Sequence, residues 1–260
     1  LRSPLDEAIL RYKDIDTSGY TKIDEVPFDF TRRRVTIVVE GEGQRLLLAK
    51  GAPEEILKVC SYCQLEDQAL DLTSELQKKI ETEYSRLSSE GFRVLAVSYA
   101  KMREKKSMYT KSDEKDMVFL GFVSFLDPPK ESARESLQSL KKAGIELKIL
   151  TGDNDLVTRK TCDQLGFEIK GVVLGTELAQ MGSDALLRVV ERANIFARVT
   201  PSQKDRIMNA LKRNGHVVGF LGDGINDAPS LKTSDVGISV NNAVDIAKES
   251  ADIILLEKGL

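Results

Sequence analysis

Apolar and polar positions divide the chain into two patterns. In the first, short strands and helices are mixed. Residues 34–40 (R-V-T-I-V-V-E) are β-branched and strand-like, Glu42-Gly43 marks a turn, and 45–50 form a second strand, so the stretch predicts a hairpin. A short helix is expected over 6–12. Thr73-Ser74-Glu75-Leu76 opens a strong helix whose apolar residues recur at helical spacing to Leu87, and Gly91 ends it. Residues 93–99 predict another strand. The Lys-, Glu- and Ser-rich residues 101–116 predict an exposed connection with solvated charges.

From about residue 119 the pattern changes to strands alternating with helices. Strands are expected at 118–126, 146–150, 172–174, 194–199, 216–221, 236–239 and 252–256. Helices are expected at 130–143, 154–165, 201–212, 227–233 and 243–250. Gly144 closes the first of these helices and Pro201 opens the third. Strands separated by helices imply parallel pairing with right-handed crossovers, hence a doubly wound parallel α/β sheet. Two domains are expected, 1–118 and 119–260.

Composition narrows the chemistry. The 260 residues carry 41% hydrophobic and 30% charged residues, which excludes a disordered chain, and the net charge of −3 disfavours nucleic acid or an anionic membrane surface as a partner. No apolar run reaches the roughly 18–20 residues of a spanning helix. Leu1-Arg2-Ser3-Pro4 resembles neither a signal peptide nor a natural N-terminus. One histidine leaves almost no material for His-dependent zinc sites or a Ser-His-Asp triad. The three cysteines fit a reducing compartment, and Cys60 and Cys63 form a C-x-x-C that reads as one helix face rather than a redox pair.

In doubly wound sheets, ligands sit at the carboxyl ends of the strands. Three expected strands end there in polar loops: Thr151-Gly152-Asp153-Asn154, Thr200-Pro201-Ser202-Gln203-Lys204, and Gly222-Asp223-Gly224-Ile225-Asn226-Asp227-Ala228-Pro229. Each precedes a helix N-terminus, whose free N–H groups favour an anion. Thr151 offers a hydroxyl to a phosphoryl oxygen, and Lys204, one turn into its helix, can reach back as a cation. Asp223 and Asp227 are oxygen ligands in one glycine-loosened loop and suit Mg²⁺ rather than zinc. A lone T-G-D is most often a helix cap and a lone P-x-x-K a surface feature; three such loops on one sheet point to phosphoryl chemistry.

The loop G-D-G-I-N-D-A-P, with T-G-D-N, Asp127-Pro128-Pro129-Lys130 and Lys50-Gly51-Ala52-Pro53-Glu54, resembles the cytoplasmic part of P-type ATPases over the whole chain. These ion pumps have a haloacid-dehalogenase-like phosphorylation domain carrying an inserted α+β nucleotide-binding domain with an antiparallel sheet. The run F-D-F-T-R-R-R at 28–34 and the end 244–258 look most like the magnesium-transporting branch, with proton pumps next. The resemblance implies ATP and Mg²⁺ as cofactors. Phe30 would stack on adenine, Lys50 and Gly51 would line the adenine pocket, and Arg32 or Arg34 would contact the nucleotide. Arg93 would bind phosphate and Asp6, where relatives often carry Glu, would meet the base side. Without the resemblance, Lys50 reads as a surface lysine at a hairpin end. Asp127 and Lys130 would form an interdomain hinge that assists nucleotide binding; Lys130 replaces the Arg common in relatives. Arg198 and Lys204 would meet the γ-phosphate, Thr151, Gly152 and Asp153 would line the phosphoryl site, Asp223 would hold Mg²⁺, and Asn226 and Asp227 would support it.

The family's nucleophile, the first Asp of D-K-T-G-T, is absent; Asp14-Ile15-Asp16-Thr17 lies in the wrong domain. The actuator domain and membrane helices of such pumps are also absent. The chain therefore reads as a soluble piece of a longer pump at the cytoplasmic face of a membrane, completed by the parent's actuator and transmembrane parts. It is expected to bind ATP without phosphorylating itself, and its second domain lacks a strand. The alternatives are a fragment of a proton or other cation pump, a soluble haloacid-dehalogenase-type phosphatase, or a non-catalytic nucleotide-binding module.

Overall fold

Alternation of buried and half-buried side chains along the longest strands builds the first layer. The computed structural model describes residues 4–256 except 14, 103, 127 and 131, so Asp127, Asp14 and the last residues of the 244–258 motif lie outside the described residues. The chain forms two units, 1–127 and 128–260.

The first unit runs α1 (Pro4–Tyr12), β1 (Tyr20–Asp29), β2 (Arg34–Gly41), β3 (Gln44–Gly51), α2 (Pro53–Leu57), β4 (Cys60–Leu65), β5 (Gln68–Asp71), α3 (Ser74–Ser89), β6 (Phe92–Met102) and β7 (Met117–Leu126). One seven-stranded sheet has the order β1-β2-β3-β6-β7-β4-β5, antiparallel except where β4 meets β7. Val38, Leu47, Ala49, Ala96, Met117 and Phe119 alternate onto one face and are buried with Ile56 and Leu57 of α2, while Ile80 of α3 packs against them. The Thr73 hydroxyl caps α3 by accepting from the Leu76 N–H at 3.3 Å, as the sequence predicts.

Three features depart from the sequence reading. The strand expected to open the second domain is β7. It pairs with β6 from Phe92↔Leu126 to Tyr99↔Val118, so it belongs to the first unit and the chain divides after residue 127. Cys60 and Cys63 lie on β4, a strand held by β5 and β7, not on a helix. Burial pushes the Cys60 thiol up to about 11 and raises that of Cys63, which removes the thiolate a redox pair needs. The 101–116 connection is not wholly solvated: Tyr109 and Glu114 are buried within it.

The second unit runs α4 (Ala133–Lys142), β8 (Ile149–Leu150), α5 (Asp155–Leu165), β9 (Val172–Leu174), α6 (Gly175–Gln180), α7 (Ser183–Arg192), β10 (Ile195–Ala197), α8 (Pro201–Arg213), β11 (Gly219–Leu221), α9 (Ala228–Thr233), β12 (Val236–Val240), α10 (Asp245–Ser250) and β13 (Ile253–Leu255). All strand pairs are parallel, as expected. They form two three-stranded sheets, β8-β10-β9 and β11-β12-β13, rather than one continuous sheet. Strands β8 and β11 each end a sheet. Leu150 of β8 and Val218, just before β11, pack against both apolar clusters of the unit. The core is built on Phe196, Ile195, Ile207, Met208, Val190 and Leu231. Helices α6 and α7 lie where the sequence pattern predicts no helix; Gly175, Leu178, Leu186 and Val190 are their buried positions.

Candidate functional site

The first unit presents its unburied sheet face as a candidate nucleotide surface. The registers Val35↔Lys50 and Lys50↔Val97 place these three side chains abreast on one face, with Leu95 and Arg93 two and four residues along β6. Val35, Ile37, Leu48, Leu95 and Val97 are half-buried and Arg93 is exposed. The Lys50 ammonium is paired with the Asp6 carboxylate of α1. Next to Lys50, Gly51 lies so close to the 30–33 turn that a Cβ there would stand 2.5 Å from the Arg33 carbonyl oxygen. The turn that carries Phe30 is thereby seated on the end of β3. Phe28 and Phe30 are 52% and 46% exposed, and their rings meet edge to face at 5.3 Å.

Arg32 and Arg34, expected at the nucleotide, are turned inward. Both are buried and both bind Glu114, Arg32 through Nη1 and Arg34 through Nε at 2.8 Å. Thr36 adds its hydroxyl to the same carboxylate at 2.6 Å. The physical reason is parity: Arg34 and Thr36 share the face of Val38, which is the core face of β2. Burial alone would raise the pKa of Glu114, but these three donors outweigh it and hold it below the ordinary value. Asp29 is held far below its own by the Arg32 backbone N–H and guanidinium.

Both carboxyl pKa values are depressed in the folded state, so their contribution to stability is complete above the ordinary carboxyl values and is lost as pH falls through the lowered ones. The first unit is expected to lose stability on acidification, read as a falling urea midpoint between about pH 5 and pH 2. A midpoint that stays level over that range would show that the buried carboxylate does not bear on stability.

In the second unit the three strand-end loops are joined. The Thr151 hydroxyl accepts from the Asp153 N–H at 3.0 Å, and Asn154 caps α5 by accepting from the Leu156 N–H at 2.8 Å. Val199 N–H donates to the Thr151 carbonyl at 3.0 Å and Arg198 N–H to that of Asp153 at 2.9 Å. Arg198, at φ 56°, lies 4.0 Å from Asp155. Directly after Val199, Thr200 caps α8 and Pro201 begins it, and Lys204 on the first turn donates to Asp227 at 2.7 Å. Lys204 therefore links the loops after β8 and β10 to the loop after β11. Its ammonium also lies 5.9 Å over the Phe220 ring. Gly224 N–H donates to Asp227 at 3.2 Å, and a Cβ on Gly222 would meet Asp227 Cβ at 2.6 Å. Asp223 and Asn226 are exposed on this loop, as is Lys130 at the start of the unit.

No group of three or more His, Cys, Asp or Glu side chains suited to a metal occurs among the described residues. The donor set fits Mg²⁺ all the same: this ion keeps waters and is typically held by one or two carboxylates together with substrate phosphates. Asp223 is exposed, whereas Asp227 is shared with Lys204.

Residues 6–132 match the family described as P-type ATPase, cytoplasmic domain N. The Escherichia coli (strain K12) protein named "Magnesium-transporting ATPase, P-type 1" is 45% identical over 266 residues, covering 100% of this chain and 30% of its own. Its Salmonella typhimurium namesake (strain LT2) is 44% identical with the same coverage. The "Calcium-transporting ATPase 1" of Lactococcus lactis is 30% identical over 99% of this chain and 30% of its own. The chain thus spans about 30% of the length of the curated relatives it matches. With a matching domain N and identity to these ATPases along its whole length, the chain belongs to the P-type ATPase family.

Proposed function

We propose that this chain is the cytoplasmic ATP-binding and phosphoryl-transfer part of an ion pump of the magnesium-transporting kind, working at the cytoplasmic face of a membrane. No helix among the described residues is long and apolar enough to cross one. The observation that carries the nucleotide reading is Lys50: an ammonium on a half-buried apolar sheet face, beside a turn that exposes two aromatic rings. Such a surface suits a flat base with a polyanionic tail. Phe30 stacks on the base, Lys50 and Asp6 meet its polar edge, and Arg93 meets phosphate. In the second unit, Thr151, Gly152 and Asp153 receive the phosphoryl group, and Lys204 and Arg198 offset its charge. Asp223 holds Mg²⁺, with Asn226 and Asp227 in support. The ion supplies charge neutralisation at the transferring phosphoryl oxygens.

The acceptor is an aspartate of D-K-T-G-T in this reading, and that motif is not in this sequence. The two sheets that end on β8 and β11 support a further parallel strand between them, leading to that aspartate. The 260-residue chain is accordingly a binding unit that does not phosphorylate itself.

Calorimetric titration of ATP into this chain and its Lys50→Ala variant tests the reading. A charge-assisted contact contributes about 1.5–3 kcal/mol. Part of it already offsets the Asp6 pairing, so about a tenfold weakening is expected. Equal affinity of the two proteins would remove Lys50 from the nucleotide site; no binding by a folded parent chain would sink the reading itself.

A further inference from the structure

The aromatic turn lies at an irregular end of its hairpin: the strands pair again at Asp29↔Arg34, and the Arg33 N–H donates to the Asp29 carbonyl at 2.8 Å. β1 and β2 lose register between Val26 and Asp29, where the chain bends into residues 30–33. What closes the turn is Asp29, which accepts from the N–H groups of Thr31 at 2.9 Å and Arg32 at 2.7 Å. The Arg32 guanidinium then clamps the same turn, donating through Nε to Asp29 and through Nη2 to the Pro27 carbonyl. Phe28 and Phe30 flank Asp29, so both rings ride on the clamp. The third arm of Arg32 goes to Glu114, 82 residues along the chain.

Glu114 is well suited to be the fixed point. Its carboxylate is fully enclosed and takes Arg32 on one oxygen with Thr36, and Arg34 on the other. Arg34 is tied in turn to the Glu55 carbonyl at 3.2 Å. The segment that delivers Glu114 is itself pinned: Tyr109 N–H donates to Asp24 at 2.7 Å, Thr110 N–H to Asp113 at 2.8 Å, and Met117 N–H to the Val59 carbonyl at 3.0 Å. The buried Arg32, Arg34 and Glu114 and the part-exposed Asp29, which Lys111 also approaches at 3.5 Å, are each paired with an opposite charge. A buried ion group of this kind is weak evidence for stability but can fix a geometry. An exposed aromatic pair gains most from such fixing, because a ring already in place loses less freedom when a base stacks on it.

We propose that Glu114 is a positioning residue for the nucleotide base: through Arg32 it holds the Phe28–Phe30 pair as a preformed stacking platform. The proposal rests on the reading that Phe30 stacks on the base. It gives the 101–116 segment a role in ligand recognition through Glu114.

The test compares ATP with inorganic tripolyphosphate, which has no base, in calorimetric titrations of the 260-residue chain. Glu114→Gln keeps size but removes the charge and turns donors toward Arg32. It is expected to weaken ATP about tenfold and to leave tripolyphosphate within twofold. Phe30→Ala should have a similar effect on ATP, and the double variant should be little worse than either single one. Arg32→Lys keeps the charge but cannot make the three-armed contact. It is expected to show the same selective loss, and it decides the matter if Glu114→Gln does not fold. Glu114→Asp, which keeps the charge, should recover part of the ATP affinity. Equal losses for ATP and tripolyphosphate, additive effects in the double variant, or unchanged ATP binding by the folded Glu114 and Arg32 variants would each overturn the proposal. If Phe30→Ala itself leaves ATP binding unchanged, the stacking reading fails and the role of Glu114 fails with it.

Discussion

Lys204→Ala in a full-length pump carrying these residues is expected to slow phosphoryl transfer from ATP by roughly 10²–10³-fold, the cost of losing one preorganised donor to a developing charge. The ammonium is mostly enclosed, 14% exposed at the side chain, and is positioned by Asp227 at 2.7 Å and by Phe220 beneath it. Because α8 starts directly after the segment bonded to Thr151, the same helix turn fixes Lys204 relative to the Thr151 loop. The substitution removes the cation and leaves the Asp227 carboxylate, itself 13% exposed, without its partner beside the arriving phosphoryl group. Both consequences act on the transfer step. ATP binding to the 260-residue chain should change less than about twofold, because the proposed base contacts and the Arg93 phosphate contact lie in the first unit. Rapid-quench measurement of phosphoenzyme formation reads the first effect, and calorimetry the second. A transfer rate equal to the parent's would remove Lys204 from the site. Loss of ATP binding by the isolated chain would mean that the two units have been given the wrong roles.

Much of this arrangement is legible locally. The Thr73 cap, the hairpin of β2 and β3, and the Pro201 start of α8 are set by residues within one turn of each other. The strand-end loops stand out because their glycines and carboxylates exceed what a turn needs. What local pattern does not reveal is pairing across distance. The apolar run 117–126 reads equally as the first strand of an alternating α/β unit or the last of an antiparallel sheet; its long ladder with β6 decides. The C-x-x-C segment has no strand signature, and its conformation is set by β5 and β7 on either side.

Glu114 shows the same limit more sharply. It stands in a Lys-, Glu- and Ser-rich segment where nothing nearby distinguishes it from solvated neighbours. Its burial is dictated by Arg32 and Arg34, about 80 residues earlier. One signal was available: Arg34 and Thr36 share parity with Val38, so two polar side chains sit on a core face and require a partner. Likewise Leu186 and Val190 recur at helical spacing in α7, but Gly182 separates them from Leu178 of α6.

Gly175 is the site of the largest expected stability effect. Gly175→Ala is expected to cost the second unit about 3 kcal/mol, the upper end of what overpacking usually costs. A Cβ there would lie 2.2 Å from the Arg198 carbonyl oxygen, 3.0 Å from its carbonyl carbon and 2.9 Å from Gln203 Oε1. Two of these three atoms are backbone and cannot swing aside. Arg198 already adopts a left-handed conformation, φ 56°, and has little freedom to yield. Gln203 Nε2 donates to the Gly175 carbonyl at 2.6 Å, so the intruding methyl also opposes the contact that ties α6 to α8. Gly219→Ala is the control, since its Cβ would meet nothing nearer than the Val236 carbonyl oxygen at 3.8 Å. Hydrogen exchange should separate the two variants. In Gly175→Ala, the Arg198 and Val199 amides, bonded to Asp153 and Thr151, should lose protection along with the second unit, while the first unit's sheet is unchanged. Parent-like exchange at those two amides would show that the close approach of Gly175 does not hold the loop. If protection is lost, the phosphoryl loops owe their arrangement to a backbone contact between α6 and the residue preceding Val199. The polar side chains that mark the site in the sequence would then be placed by a glycine that carries no chemistry.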